Sequence, residues 1–217
     1  MASRDKPRGV SLPGIDALRD ASLTTNQALP TEWYERPVID VARALLGCLL
    51  VSTHGDETVA GLIVETEAYD GQEDPASHSA FRRTGLVTAM WGPRGTAYVY
   101  RAYGMYPCFN VIAGPGNRPS AVLVRAIHPL VNLQAMARRT GRAANDRVAS
   151  GPGLTGRALG IEVGDNGHPL QDEPLWIQPG IREFEIISGP RIGITRAVEA
   201  EWRFGVRDNP SLSRKFP

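Results

Sequence analysis

The 217-residue chain has only two cysteines, Cys48 and Cys108, and only two lysines among its 24 basic residues. The cysteines lie 60 positions apart without CxxC spacing, so the sequence predicts neither a disulfide framework nor a zinc site. No apolar run approaches the roughly 18 residues that span a bilayer, and residues 1–14 lack the apolar segment of a signal peptide. We therefore expect a cytoplasmic protein that does not bind membranes.

Several catalytic motifs are also missing. The sequence contains no HExxH, no GxSxG and no Walker lysine, and its one GxGxxG match, residues 151–156, follows no β-rich segment. We therefore predict no metal ion and no nicotinamide or flavin cofactor. The glycine-rich match precedes a predicted short helix, whose first backbone amides could hold a phosphate.

Periodicity predicts one α+β domain. Residues 1–28 are polar, mixed in charge and nearly aperiodic, which is typical of a flexible N-terminal arm, and the domain then covers residues 29–217. Irregular spacing of helices and strands predicts a curved, mainly antiparallel sheet with surrounding helices. Residues 70–95 read as a long polar loop, a length that usually serves function. Predicted helices cover 37–46, 130–139 and 154–159; predicted strands cover 48–53, 58–69, 96–103, 121–127, 174–178, 183–187 and 202–206.

Acidic residues are nearly absent from residues 76–157. This segment holds eleven arginines against one acid, Asp146, a net charge of +10 in a chain whose total is +1. Because each neutralised phosphate releases counterions, such a segment indicates a basic face for nucleic acid. A general preference for arginine over lysine is the alternative, although it does not explain the missing acids.

The window VETEAY, residues 64–69, carries two acids close together. In a strand, Glu65, Glu67 and Tyr69 share one face because side chains alternate. In a cleft, neighbouring carboxylates raise each other's pKa, which suits a general base. An exposed edge strand with two solvated glutamates is the alternative.

Four of the six tyrosines fall between residues 98 and 106. Aromatic faces can stack on nucleic-acid bases, whereas a half-buried structural cluster is the alternative. Gly104 predicts a turn that projects Tyr103 outward. His78, in the long loop, reads on its own as a solvated or locally bonded histidine.

Taken together, these segments resemble the alkyladenine (3-methyladenine) DNA glycosylase family, over residues 29–211. The similarity consists of several motifs in the same order, which makes chance agreement a poor explanation. The matching segments are 44–47 (ALLG), 65–69 (ETEAY), 73–74 (ED), 76–79 (ASHS), 95–100 (GTAYVY), 103–106 (YGMY), 108–110 (CFN), 122–126 (VLVRA), 150–152 (SGP), 190–193 (PRIG) and 202–204 (WRF).

The resemblance implies an enzyme that flips an alkylated or deaminated purine out of duplex DNA and hydrolyses its N-glycosidic bond. It implies one chain acting alone, without a metal, and without strand nicking because no lysine is placed for Schiff-base chemistry. By motif position, Glu67 is the general base and Arg125 helps to hold the attacking water or a phosphate. The remaining implied sites are the base pocket (Tyr69, His78, Tyr100 and Asn110), the intercalating wedge (Tyr103) and the DNA-backbone contacts (Met105, Ser150 and Arg157).

Two departures from the family pattern affect the expected DNA contacts. Where RTPRN is common, residues 83–87 read RTGLV, and Leu154 stands where a lysine commonly follows SGPG. Both changes are expected to weaken phosphate binding.

Two other functions fit parts of the sequence. A carbohydrate glycosidase would use Glu65 and Glu67 as its carboxylate pair, across a neutral or acidic cleft. A non-catalytic single-strand nucleic-acid-binding module would instead use Tyr98, Tyr100 and Tyr103 as stacking platforms.

Overall fold

A computed structural model describes residues 22–217 together with Gly14, Ile15 and Leu18. Most of the predicted arm, residues 1–28, lies outside the described residues, so its flexibility stays a prediction. The described part of it contacts the domain. Thr24 caps a 3-10 helix at Thr25–Gln27, and the side-chain amide of Gln178 donates to the carbonyl of Ser22 over 3.1 Å.

Residues 22–217 contain both helices and strands, as the α+β prediction required. The α-helices are α1 (Val38–Leu45), α2 (Leu133–Thr140) and α3 (Pro152–Leu159). The strands are β1 (Leu49–Ser52), β2 (Val59–Tyr69), β3 (Ala97–Ala102), β4 (Tyr106–Ala113), β5 (Ser120–Val131), β6 (Leu175–Gln178), β7 (Ile186–Gly189) and β8 (Arg203–Val206). Further 3-10 helices lie at Thr31–Tyr34, Gly71–Glu73, His78–Ala80, Gly85–Trp91 and Val163–Asp165.

The eight strands form one open sheet: six follow the order β3-β4-β5-β2-β1-β6, β8 pairs with β2, and β7 pairs with β8. Every pairing is antiparallel. β2 is the central strand. Its first half pairs with β1, its second half pairs with β8, and β5 runs along its other edge. The predicted antiparallel sheet is therefore confirmed.

The two faces of β2 have different surroundings. Thr66 donates its hydroxyl to the carbonyl of Ala42 in α1, so the face that carries Val64, Thr66 and Ala68 packs against this helix. The amphipathic pattern of α1 buries Val38, Val41, Ala42 and Leu45 in the same core. The glutamates of the second half of β2 consequently point to the opposite face.

Helix α3 packs tightly across β4 and β5. A Cβ atom at Gly156 would lie 2.3 Å from the carbonyl oxygen of Pro107, so only glycine allows this approach. The contact fixes the distance between the helix and the strand that carries Asn110.

Three sequence predictions differ from the structure. β4 was not expected, because Pro107 and Asn110 weaken its strand signal, although β4 lies at the sheet's interior between β3 and β5. The helix predicted from residue 130 begins at Leu133, because pairing with β2 extends β5 to Val131. The predicted loop 70–95 contains three 3-10 helices, which fold it against the sheet.

Candidate active site

The second half of β2 turns Glu65, Glu67 and Tyr69 to one side, as strand alternation predicts. Both glutamates are fully buried, and the Tyr69 hydroxyl donates to Glu67 Oε2 over 2.9 Å. The predicted shared face is confirmed, and the alternative of solvated glutamates on an exposed edge strand is wrong. Pairing with β5 and β8 on both edges leaves this half of β2 without a free edge.

Arg125 of β5 lies between the two glutamates. Its Nε is 3.3 Å from Glu65 Oε1 and its Nη1 is 3.2 Å from Glu67 Oε2. The register explains this position, because Glu65 pairs with Ala126 and Thr66 pairs with Val124, which leaves Arg125 without a Cα partner. A β-bulge of this kind re-aims a side chain, here toward the buried carboxylates.

Glu67 is held by three donors. Its Oε1 accepts the backbone N–H of Ile192 over 2.7 Å, and its Oε2 accepts from Tyr69 and Arg125. Burial raises the pKa of Glu67, whereas Arg125, the Ile192 amide and the Tyr69 hydroxyl act in the opposite direction. A carboxylate offers about four acceptor positions, so one remains open for a further donor such as water.

A cavity of about 910 Å³ opens next to this carboxylate. Glu67 lies behind its wall, where three residues that contact Glu67 face the cavity: Tyr69, Arg125 and Ile192. Aromatic rings form much of the rest. The His78 and Tyr100 ring centroids are 4.6 Å apart at an interplanar angle of 71°, and Tyr98 and Tyr100 are 5.5 Å apart.

His78 is a fixed part of this wall. Its Nδ1 lies 2.8 Å from the Tyr98 hydroxyl, and the side chain lines the cavity. Burial, with a smaller contribution from nearby Arg82, lowers the pKa of His78. The imidazole is therefore neutral at pH 7, and the interpretation of a solvated loop histidine is wrong.

Asn110 is a buried side chain in the cavity lining. Its Nδ2 donates to the carbonyl oxygens of Tyr98, over 3.0 Å, and Cys108, over 3.4 Å. Two backbone acceptors thus fix the orientation of the amide, so it presents a rigid surface to any ligand in the cavity.

The turn between β3 and β4 forms one rim of the cavity. Tyr103 is 93% exposed and has φ of +52°, and Gly104 follows with φ of +71°. The predicted turn that projects Tyr103 outward is confirmed. Met105, beside it, is 60% exposed, so two large apolar side chains face solvent at this tip.

Comparison with known proteins agrees with this geometry. Residues 32–210 match the family described as "Methylpurine-DNA glycosylase (MPG)". The chain belongs to the methylpurine-DNA glycosylase family. Three relatives, each named "Putative 3-methyladenine DNA glycosylase", come from Rhodopseudomonas palustris (44% identical, covering 87% of this chain and 90% of the relative), Nitrosospira multiformis (43%, 82% and 90%) and Bacillus licheniformis (42%, 87% and 98%).

The sequence resemblance to DNA glycosylases is thereby confirmed, but two expected DNA-backbone contacts of this glycosylase also bond within the protein. The Ser150 hydroxyl donates to the carbonyl of Leu212 over 2.9 Å. The guanidinium of Arg157 lies 4.7 Å from the ring centroid of Tyr106 and is half-buried. Their roles toward DNA stay predictions.

Only part of the predicted basic face of the glycosylase is free. Arg94 donates to four carbonyls in the described structure, those of Gly92, Gly114, Gly116 and Arg118. Arg118, Arg125 and Arg138 bind acids, while Arg139 and Arg147 bind backbone carbonyls. The segment lacks acids because its partners come from elsewhere in the sequence, so charge counting overestimates the DNA-binding surface. Arg82 and Arg101 are exposed at the cavity.

Sequence reasoning missed the buried ion pair that supports the glycosylase site. Arg191 Nη2 lies 2.9 Å from Asp74 Oδ1, its Nη1 donates to the carbonyl of Ala68, and its guanidinium lies 4.8 Å from the Tyr69 ring centroid. This pair fixes the segment whose next residue, Ile192, binds Glu67. Both residues stand in quoted motifs, but nothing in the sequence pairs them across 117 positions.

Among the residues that the structure describes, no three His, Cys, Asp or Glu side chains converge as a metal site requires. In the same residues, no helix combines the length and the apolar character needed to cross a membrane. The absence of a metal and a cofactor and the cytoplasmic location stay predictions.

Proposed function

We propose that this DNA glycosylase flips an alkylated or deaminated purine out of duplex DNA into its aromatic cavity and hydrolyses the N-glycosidic bond. The product is an abasic site, the starting point of base excision repair. One observation carries the proposal: Glu67, with its pKa raised by burial and one acceptor position open, is fixed directly behind the wall of a cavity large enough for a nucleobase.

Extrusion comes first, because the glycosidic bond is inaccessible inside a stacked duplex. Flipping costs a few kcal/mol and leaves a gap in the helix. Tyr103, exposed at the rim of the cavity, inserts into this gap and replaces the lost stacking. The adjacent Met105 contacts the DNA backbone beside it.

Recognition of the flipped base uses the aromatic wall. Tyr69, His78 and Tyr100 stack on the base, and electron-rich tyrosine faces attract the positive charge of an alkylated purine. The rigid Asn110 amide crowds the 2-amino group of normal guanine, which excludes that base by a clash.

The chemical step is a displacement by water at C1′. Glu67 accepts a proton from the attacking water, and the base departs with the electron pair of the glycosidic bond. The carboxylate also stabilises the positive charge that develops on the sugar. Arg125 keeps Glu67 in position and keeps it charged, since an adjacent cation favours the ionised form.

Leaving-group charge ranks the substrates. Bases alkylated at N3 or N7 already carry a positive charge and need no proton to depart, whereas hypoxanthine and ethenoadenine depart after protonation. We therefore expect acid pH to assist release of the neutral bases more. The reaction stops at the abasic site, because the lysine among the described residues, Lys215, is exposed and outside the cavity lining, where it cannot form a Schiff base with the sugar. A single chain supplies every cavity residue named above, so we expect the monomer to be active.

Two alternatives fit this geometry less well. A glycosidase pair needs space for a sugar or a water between its carboxylates, whereas the Arg125 guanidinium fills that position. A single-strand binding platform needs exposed stacked rings, whereas Tyr98 is buried and bonded to His78.

The test uses duplexes that each carry one hypoxanthine, ethenoadenine or 3-methyladenine, followed by alkaline cleavage of abasic sites. We expect cleavage at the lesion with alkali and intact strands without it. Release of none of these bases would refute the proposal, and strand cleavage before alkali would refute the monofunctional mechanism.

A further inference from the structure

The cavity lining combines five arginines with no acid. Arg125 is ion-paired with the buried glutamates, and Arg82 and Arg101 belong to the arginine-rich segment. The other two, Arg196 and Arg214, lie in C-terminal segments outside residues 76–157. Both are exposed, and neither has an ion pair or hydrogen bond to any described residue.

Arg214 sits on a segment that Glu65 holds in place. Glu65 Oε2 accepts the backbone N–H of Ser213 over 2.6 Å, and Glu65 Oε1 accepts the Ser213 hydroxyl over 2.9 Å. Arg203 adds a bond from its Nη2 to the carbonyl of Lys215 and stacks 3.7 Å from the Phe216 ring centroid. The residues on both sides of Arg214 are thus fixed to β2 and β8, while the arginine itself faces solvent.

Arg196 sits on a second fixed segment. The buried pair of Arg191 with Asp74 and the bond from the Ile192 amide to Glu67 fix the start of this segment. Ala197, directly after Arg196, has φ of +48°, a left-handed conformation that L-residues other than glycine, asparagine and aspartate seldom adopt. Such strain persists only where surrounding contacts enforce it, and here it makes a sharp turn at the cavity.

We propose that Arg196 and Arg214 form a clamp that binds the DNA phosphates flanking the flipped nucleotide, with Glu65 as the structural anchor of one arm. The clamp rests on the proposed function. A nucleotide with its base in the cavity keeps its own two flanking phosphates outside, on the solvent side, and both arginines are exposed residues of the cavity lining. Guanidinium binds phosphate through paired N–H donors, and within residues 22–217 neither group has a competing acceptor.

The same geometry separates the two buried glutamates by role. Glu67 has an acceptor position open near the cavity, whereas Glu65 receives bonds from Ser213 N, Ser213 Oγ and Arg125, with Arg203 3.7 Å away. Glu65 is thus saturated by donors and shielded by the C-terminal segment. It acts on DNA only through the position of Arg214.

The experiment measures binding to a duplex that contains a tetrahydrofuran abasic-site analogue, at several salt concentrations. Each lost phosphate contact reduces the slope of log K against log salt by about 0.9 and weakens binding about eightfold at 0.1 M salt. We expect these effects for Arg196→Ala and for Arg214→Ala, and a slope change of about 1.8 for the double variant. The matched control is Arg207→Ala, an exposed arginine outside the cavity lining that pairs with Glu185, and it should change neither quantity.

The anchor is tested by combining variants. Ser213→Ala removes one bond to Glu65, and Glu65→Gln disturbs both. Each substitution should weaken DNA binding by part or all of the effect of Arg214→Ala. The double variant Glu65→Gln with Arg214→Ala should bind DNA no more weakly than whichever single variant has the lower affinity. If Glu65→Gln does not fold, Ser213→Ala with Arg214→Ala provides the same comparison.

Single-turnover base release at saturating enzyme separates this inference from the proposed function. Arginine variants that still release base but show reduced salt slopes support the clamp. Salt slopes equal to that of the wild type overturn it, even if the enzyme excises bases normally. If the wild-type protein releases no base while both arginine variants show a reduced salt slope of DNA binding, the proposed function is refuted and the phosphate contacts are supported.

Discussion

Replacing Glu67 with glutamine tests the proposed chemistry most directly. Glutamine keeps one carbonyl oxygen that can accept the Ile192 amide, but its NH2 group faces Tyr69 and Arg125, and Arg125 cannot accept a hydrogen bond. The variant loses both proton acceptance and the negative charge next to the sugar. General-base catalysis contributes about 10²- to 10⁴-fold, so the barrier should rise by about 2.7 to 5.4 kcal/mol.

The assay is single-turnover release of hypoxanthine at saturating enzyme, paired with binding to the abasic-analogue duplex. We expect the rate to fall by about 10²- to 10⁴-fold, while affinity stays within about threefold because the aromatic wall is unchanged. The matched control is Glu65→Gln on the same strand face. It should keep the saturated rate within about tenfold, since Glu65 serves as an anchor.

The pH dependence supplies an independent check on Glu67. Because burial raises its pKa, the acid limb for cationic lesions should lie above the ordinary glutamate range, near pH 4.3. The same shift affects the free energy of unfolding. Protonated Glu67 stabilises the folded protein at pH values below its unfolded-state pKa, and this stabilisation is lost as pH rises through the higher native pKa. Glu67→Gln should remove this dependence of unfolding free energy. A folded Glu67→Gln enzyme with a rate within tenfold of the wild type would refute the assignment of the base.

Four further predictions concern other parts of the site and its support. Tyr103→Ala should leave the unfolding temperature unchanged and slow base release from duplex DNA by about 5- to 150-fold, the loss of about 1–3 kcal/mol of stacking, whereas Tyr103→Phe should retain the rate. Asn110→Ser should increase guanine release from undamaged DNA by about tenfold, if relief of the clash is worth about 1.4 kcal/mol; unchanged release would contradict the exclusion role. Because the pKa of His78 is lowered, its neutral form stabilises the fold above the unfolded-state pKa of about 6.5, and this stabilisation is lost as pH falls through the native pKa. In His78→Phe, the free energy of unfolding measured with urea should therefore fall less below pH 6.5 than in the wild type. Arg94→Gln should lower the free energy of unfolding by about 2 to 4 kcal/mol and leave the salt slope of DNA binding unchanged, because this arginine binds four carbonyls rather than DNA.

Local patterns predicted the parts of the site that depend on one strand or one turn. Alternation along β2 was sufficient to place Glu65, Glu67 and Tyr69 on one face, since the side-chain period of a strand is two. Gly104 was sufficient to predict the turn that exposes Tyr103. Both features are encoded within a few residues, and neither needs a distant partner.

Features that join distant residues were not predictable. Arg125 reaches Glu67 because a bulge displaces it from the β2–β5 register, and no periodicity marks that bulge. Arg94 and Arg118 belong to the arginine-rich segment that predicts a basic face, but their acceptors lie in loops whose positions depend on the folded sheet. The extension of β5 to Val131 likewise comes from pairing with β2, a tertiary contact that overrides the helical spacing.

The two hydrogen bonds that attach β2 to the C-terminal part of the chain also determine when the enzyme becomes active during synthesis. Glu67 binds an amide 125 positions later, and Glu65 binds one 148 positions later. An unfinished polypeptide on the ribosome therefore contains the strand of the carboxylate without the groups that aim it. Contacts of such long sequence separation form late in folding, so we expect the capacity to cut a glycosidic bond to arise only after Ile192 and Ser213 have been synthesised.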